Sequence, residues 1–394
     1  MRTRLLILLI LTLSLRPAHL LSQTQENAQV YLVTCAPGTE TYSIYGHSAL
    51  RIIMPEKSSD MVYNWGVFDF ATPNFAWKFA KGRLDYLLQA YPADRFLQEY
   101  FYEQRAVFQQ RINLEPAETQ ALLTLISENL KPENISYRYD FFYDDCSTRI
   151  RDLLEKATGN RLIYPPEKNE DAQTFRQKVG EYQRSYPWLE FGINLIMGTP
   201  GEKKATFRDE MFLPVDLQKN LSETLINREG RLVPFLTNPE ILLDFPPASV
   251  KSNFILSPVF VFSLLLVIII LLSALKNNIL VNRIMDLSVY IPFSILSVLI
   301  FFFSFFTDHE QMKLNLNILW LSPFVIMCLT SLLLNRKWVT WYRITFTLSL
   351  IFIIIILVFP AGFSKAFLPL AIILALRTAA RSDFSWNPLS VSTI

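Results

Sequence analysis

From residue 28 the chain alternates apolar and polar positions in short runs bounded by turn residues. AQVYLVTCAP (28–37) reads as a β-strand broken by Pro37-Gly38, and TYSIYGHSALRIIMP (41–55) reads as a second. After the turn at Lys57–Asp60, MVYNWGVFDF (61–70) predicts a third strand in a hairpin with the second. FAWKFAKGRLDYLL (75–88) and DRFLQEYFYEQ (94–104) read as helices, and AVFQQRINLE (106–115) as a strand. Pro116 opens a helix with an apolar residue at every third or fourth place, and a further amphipathic helix starts at Cys146. Residues 160–250 carry many Pro, Asn and charged positions, with weaker helices near 172–198. These runs predict an α+β domain with a mainly antiparallel sheet.

From Phe254 the pattern changes. Apolar segments run at about 254–275, 287–306, 315–334, 344–361 and 365–376. The first four are long enough for a hydrocarbon core of about 30 Å, while the fifth is short and follows Pro360, Gly362 and Lys365. An all-α transmembrane bundle of about five helices is expected. Lys276 and Arg283, then Arg336, Lys337 and Arg343, then Arg377 and Arg381 fall on alternate loops; the loop between holds Asp308, His309, Glu310 and only Lys313. Basic loops face the cytoplasm, which puts the α+β domain outside. The N-terminus agrees: two arginines and an apolar run from Leu5 to Leu15 read as a signal peptide, with the mature chain starting near Gln23–Gln25. No cysteine stands near its end, which argues against a lipid anchor there. The expected division is a signal peptide at 1–22, an extracytoplasmic domain at 23–250, a transmembrane domain at 251–380 and a cytoplasmic tail at 381–394.

The net charge of +2 and the lack of a basic stripe argue against nucleic acid. Of three cysteines, Cys328 lies in a membrane segment and Cys35 and Cys146 lie outside, where a disulfide between them would abolish any thiol chemistry. No metal-ligand spacing or phosphate loop is present, so neither a metal nor a cofactor is expected.

Cys146 is the strongest chemical candidate. A lone cysteine is most often a small core residue, but this one opens a helix within the polar run Asp144, Asp145, Ser147, Thr148, Arg149. Helix-start amides favour a thiolate, whereas the carboxylate of Asp145 beside it is expected to raise the thiol pKa. His47, 99 positions earlier, is the candidate base; the common alternative is a hydrogen-bonded strand histidine. Gly46 before it permits close backbone approach. Asn64 is the candidate for orienting the imidazole, with Asp69 and Glu40 as alternatives. Tyr45, Arg149 and Arg151 are candidate contacts for an anionic head group or an acyl oxyanion, although such arginines often form surface ion pairs. Asp308 and His309, with Asn315, Asn317 and Trp320, lie at the outer mouth of two spans; they read either as an ordinary loop with interfacial anchoring or as a second face of the site.

The order GHSALR, YNWGVFDF, NFAWKFAKGRLDYLL, YDFFYDDCSTRIRD resembles the Lnb N-terminal periplasmic domain over roughly residues 27–200. TDHEQMKLNLNILWLSP and the helices after it are similar to the membrane part of the same proteins. The resemblance implies N-acylation of bacterial lipoproteins, a source among the Bacteroidota, and a permuted papain-like, NlpC-type fold. It also implies Cys146 as nucleophile and His47 as base; Asn64 as third member extends it. The expectation is therefore an inner-membrane thiol acyltransferase. It would move an acyl chain from a phospholipid donor, through a Cys146 thioester, to the amine of a diacylated lipoprotein acceptor. The alternatives are a periplasmic NlpC-like cysteine peptidase or amidase acting on cell-wall peptides, and a membrane-tethered sensor or assembly factor without chemistry.

Overall fold

A computed structural model describes residues 28–167, 172–248, 250, 252–274 and 278–383. The expected signal peptide, Lys276 and the tail from residue 384 lie outside these residues. Five strands and three helices build the first half: β1 (Gln29–Cys35), β2 (His47–Met54), β3 (Ser59–Val67), α1 (Phe75–Lys81), β4 (Asp85–Pro92), α2 (Ala93–Tyr102), β5 (Val107–Arg111) and α3 (Pro116–Asn129). Then come β6 (Ser136–Arg138), α4 (Cys146–Ala157), β7 (Leu162–Ile163), α5 (Phe175–Gln183), α6 (Pro187–Ile196), α7 (Pro214–Glu223), β8 (Leu225–Arg228), β9 (Arg231–Pro234) and β10 (Glu240–Leu243). The main sheet is antiparallel throughout, in the order β10-β5-β1-β2-β3-β4-β6; β7, β8 and β9 make a small second sheet.

Strand alternation sends side chains to two covered faces. Val30, Leu32, Leu50, Ile52 and Trp65 join one core with Leu122 and Ile126 of α3 and Ile150 and Leu154 of α4. Val33, Cys35, Ala49 and Val62 join another with Phe96 and Tyr100 of α2. Burying a Leu or Ile side chain contributes about 1.5–3 kcal/mol, so α4 is held to the sheet mainly by Ile150 and Leu154, both fully buried.

Two local expectations need correction here. The helix expected at 75–88 ends at Gly82, whose φ of 69° forms a left-handed cap. The chain then becomes β4, because Leu84, Tyr86 and Leu88 are buried at period two. The strand expected at 41–55 starts only at His47, after turns at 41–45. The weaker helices expected near 172–198 are α5 and α6; besides them, the described residues of 160–250 form α7 and four short strands, and β10 extends the main sheet by pairing with β5.

The C-terminal part is helical: α8 (Pro258–Ala274), α9 (Ile279–Phe305), α10 (Phe324–Leu333), α11 (Val339–Val358) and α12 (Phe367–Ala380). Of these, α9 with 27 residues and α11 with 20 are long and apolar enough to cross a membrane; the other three are shorter apolar helices. The segment expected as a continuous span at 315–334 is helical only from Phe324, because Asn315 and Asn317 turn inward to cap backbone carbonyls of α6. A core of Tyr290, Phe293, Trp320, Cys328, Phe352 and Phe367 joins the helices.

The two parts interlock. Asn315 Nδ2 donates to Leu195 O (2.8 Å), Asn317 Nδ2 donates to Leu195 O (3.1 Å) and Asn194 O (3.3 Å), and Gly198 N donates to Gln311 O (2.8 Å). Arg176 braces this junction from beneath, donating to Asn194 Oδ1, Met197 O and Gly198 O while paired with Glu202. On the other side Arg83 pairs with Asp308 at 2.7 Å, and Asp308 N donates to Lys81 O at 2.9 Å.

Candidate active site

Cys146 is the first residue of α4, and the sequence around it writes the helix start. Asp145 is the N-cap: its Oδ1 accepts from Ser147 N (3.0 Å), Thr148 N (2.7 Å) and Thr148 Oγ1 (2.9 Å), while Asp145 N donates to Thr148 Oγ1 (2.7 Å). This capping box satisfies the amides that a helix start leaves unpaired. It leaves the Cys146 amide untouched by the carboxylate. Just upstream, Asp140 Oδ1 accepts from Phe142 N and Tyr143 N at 2.9 Å each, closing the turn that delivers the helix, and takes the Gln311 side-chain amide as well.

His47 begins β2, directly opposite Cys35 of β1. Gly46 before it has φ 81°, and a Cβ there would stand 2.8 Å from Cys35 O, so the strand start requires glycine. His47 Nε2 and Asn64 Oδ1 are 2.5 Å apart. With Asn64 presenting oxygen, the imidazole donates from Nε2 and Nδ1 keeps the lone pair. Asp69 is engaged elsewhere, accepting from Ala71 N. Glu40 O accepts from Ser43 Oγ in the preceding turn.

The thiol and imidazole line one cavity of about 530 Å³, within the range of about 300–1,000 Å³ common for small-molecule sites. Its wall is mainly aromatic and apolar, from Tyr45, Phe68, Phe70, Phe75, Phe79, Tyr86, Phe141 and Phe212, with Leu189, Ile193 and Ile196 of α6. His309, Gln311 and Met312 of the membrane-side loop close it. Gly66 sits over the thiol: with φ 88°, its missing Cβ would be 3.7 Å from Cys146 Cβ. A bulge between Asn64 and Val67 accommodates it. No hydrogen bond joins His47 to Cys146 among the described residues; the thiol neighbours Ser147 Oγ at 3.8 Å, and Ser147 Oγ meets Ser48 Oγ at 3.1 Å.

Burial raises the Cys146 pKa above the ordinary thiol value, against the Ser48 amide, the Ser147 hydroxyl and amide and its own amide, which lower it. Burial, rather than the neighbouring carboxylate, is the largest cause. Burial likewise lowers the His47 pKa, with the Asn64 hydrogen bond opposing and Arg105 adding to the shift. Asp145 is pushed well above the carboxylate range by burial and by the nearby sulfur. The resting pair is therefore a thiol and a neutral imidazole, and a thiolate forms when the proton passes between them.

The expected contacts divide. Tyr45 lines the cavity, its hydroxyl accepting from Gln183 Nε2 at 2.7 Å, and His309 lines it with a ring nitrogen 2.9 Å from Phe79 O. Arg149, Arg151 and Asp308 are not among the lining residues. Arg149 forks onto Asp144 (2.5 and 2.8 Å) and lies over the Tyr137 ring at 3.5 Å. Arg151 is buried, donating to Asp152 Oδ1 and Arg208 O. Asp308 is taken by Arg83. Sequence reasoning missed Gly66 and the aromatic wall; the phenylalanines of FDF and NFAWKF were visible, but not that a loop and a short helix would turn them onto the thiol. Cys35 and Cys146 are both free. Among the described residues, no group of three or more His, Cys, Asp or Glu side chains is disposed to hold a metal ion.

A thiol, an imidazole and an amide on an α+β layer seated on apolar helices define a membrane-anchored protein with an apolar cavity beside a nucleophile-type side chain. Two family models match: the Lnb N-terminal periplasmic domain over residues 18–179 and the Lnb transmembrane domain over residues 249–384. The chain belongs to the Lnb family. It is a membrane protein with a periplasmic N-terminal domain, and a membrane-associated enzyme that modifies lipoproteins. No curated protein and no solved structure matches it. The family does not favour the cell-wall peptidase alternative.

Proposed function

We propose that this protein transfers a fatty acyl chain from a phospholipid, through a thioester on Cys146, to the free α-amine of a diacylglyceryl-cysteine lipoprotein. The observation that carries the reading is the joint opening of Cys146 and the His47–Asn64 pair into one apolar cavity closed by the membrane-side loop. His47 Nδ1 takes the thiol proton as Sγ attacks the ester carbonyl. Hydrogen bonds at resting catalytic pairs tighten when substrate binds. The C–O bond then breaks, and the lysophospholipid leaves as an alcohol carrying the proton from His47. The acceptor amine next attacks the thioester, forming a C–N bond; its proton goes to His47 and on to the departing sulfur. The Cys146 amide, not engaged by Asp145, is the donor assigned to the oxyanion. Asn64 stabilises the imidazolium formed in each half-reaction. An apolar wall suits an acyl chain and protects the thioester from water, and anchoring in the membrane keeps both lipid substrates at high effective concentration.

In this reading residues 1–22 are a signal peptide, 23–250 a permuted papain-like catalytic domain and 251–380 the inner-membrane domain, with α9 and α11 as full spans and α8, α10 and α12 as shorter membrane helices. Residues 381–394 are the cytoplasmic tail. Tyr45 and His309 are assigned to substrate contact. Arg149, Arg151 and Asp308 are assigned to the frame, since each is committed to a partner. The test is the intact mass of a diacylated lipoprotein co-expressed with wild-type or Cys146→Ala protein in a host lacking its own N-acyltransferase. One added acyl chain with wild type alone is expected. A gain with both would remove Cys146 from the mechanism, and a gain with neither would end the acyltransferase reading.

A further inference from the structure

Phe70, Phe75 and Phe79 supply part of the cavity wall. Phe70 and Phe79 both line the cavity, yet they are 66% and 53% exposed. Helix α1, which carries Phe79, buries none of its residues, and Trp77, 59% exposed, is not among the cavity's lining residues. A soluble domain gains nothing by presenting three large aromatic side chains to water within ten residues, so a partner for this face is required.

The position of α1 identifies that partner. The helix is bolted to the outer end of α9: Lys81 Nζ donates to Phe306 O at 2.6 Å, Trp77 meets the Phe302 ring at 5.6 Å, and Lys81 lies over both rings. Gly82 caps α1 against the loop, where a Cβ would come 3.2 Å from His309 N. Phe305 and Phe306, 60% and 55% exposed, continue the same apolar surface onto the spanning helix. The long helix α9 covers about 40 Å at 1.5 Å per residue, so its outer end lies at the lipid–water boundary. Aromatic side chains with an adjacent lysine are the composition that settles there.

We propose that α1 and the preceding loop form a membrane-seated sill. Phe70, Trp77 and Phe79 would rest in the outer leaflet of the inner membrane, and an acyl chain would pass over the sill sideways into the cavity without crossing water. The leaflet contact follows from the aromatic face and its anchorage on α9; the passage of a chain rests on the acyltransferase reading.

Two measurements on the full-length protein in phospholipid nanodiscs separate these claims. The first places a benzophenone amino acid at position 77, or at position 102 on α2, where Tyr102 is 73% exposed, in a Cys146→Ala background that needs no turnover. A phospholipid photoadduct at 77 and none at 102 is expected; no adduct at 77, or equal adducts at both, would overturn the sill. The second compares Trp77→Asp with Trp77→Leu. The charged variant should lose about tenfold or more of its N-acylation rate because a carboxylate resists the interface, and the leucine variant should keep it. Iodoacetamide labelling of Cys146 at the wild-type rate would show that the fold is intact. Unchanged acylation by Trp77→Asp would overturn passage over the sill, even if the photoadduct forms.

Discussion

At the scale of single residues, the site depends on two opposed shifts. The Cys146 pKa is raised and the His47 pKa is lowered, both chiefly by burial. A raised value keeps the sulfur protonated at neutral pH, and a lowered one keeps the imidazole uncharged there. Alkylation of Cys146 by iodoacetamide should therefore be slow at pH 7 and still climbing above about pH 8.5, where an ordinary cysteine titrates. A plateau below pH 7 would instead mean a standing thiolate–imidazolium pair. The His47–Asn64 contact gives a second prediction. Asn64→Ala should lower kcat by about tenfold or more, consistent with loss of one charge-assisted hydrogen bond of about 1.5–3 kcal/mol; an unchanged kcat would reduce Asn64 to a strand residue. His47→Ala should cost about 10²–10⁴-fold, the usual contribution of a general base. The residue types were legible in the sequence because histidine, cysteine and asparagine are scarce and chemically distinct. The commitments of Arg149, Arg151 and Asp308 were not, because an arginine's partner is fixed by folding and not by its neighbours in the chain.

At the scale of elements, Asp145 was read from sequence as an electrostatic liability beside the thiol. Its main work in the structure is to cap α4 and thereby set the height of Cys146. Asp145→Asn keeps the accepting oxygen and should hold the melting temperature near wild type. Asp145→Ala should cost about 1 kcal/mol, a typical loss for a removed N-cap. Equal stability of the two would mean that the capping bonds carry little. The strands β1 and β3 and the helices α3 and α4 were legible because their periods of two and 3.6 are clean over several residues. The stretch 75–88 was misread because FAWKF and LDYLL are each apolar enough for a helix. Only the left-handed geometry at Gly82 shows that one ends and a strand begins. Within 160–250 the helices α5 and α6 were legible, while α7 and the short strands were not: they gain stability from tertiary contacts, such as the pairing of β10 with β5, which no local window contains.

At the scale of the whole molecule, the periplasmic layer and the membrane helices act as one body through a narrow junction. Gly198 lies at its closest point: a Cβ there would fall 1.7 Å from Lys313 O. Gly198→Ala should therefore lower the melting temperature of the full-length protein by several degrees and reduce activity. Gly192→Ala on the neighbouring α6, where nothing lies within 4 Å of the added carbon, should change neither. Identical behaviour of the two variants would mean that the junction does not matter. That the chain has an outer domain and a membrane domain was legible from hydropathy and loop charge. That the 308–309 loop could form a second face of the site was one of two sequence readings, and His309 does line the cavity holding Cys146; that Gln311 and Met312 would join it was not legible, since about 160 residues separate them from the thiol. The central claim is that the acyl chain rests on Cys146 between donor and acceptor. The most direct test is mass spectrometry of the Cys146 peptide after the purified protein meets phospholipid without acceptor. The expected result is one acyl chain on that sulfur, labile to hydroxylamine and cleared when a diacylated lipopeptide is added. Acyl transfer to the lipopeptide with Cys146 unmodified throughout would contradict it.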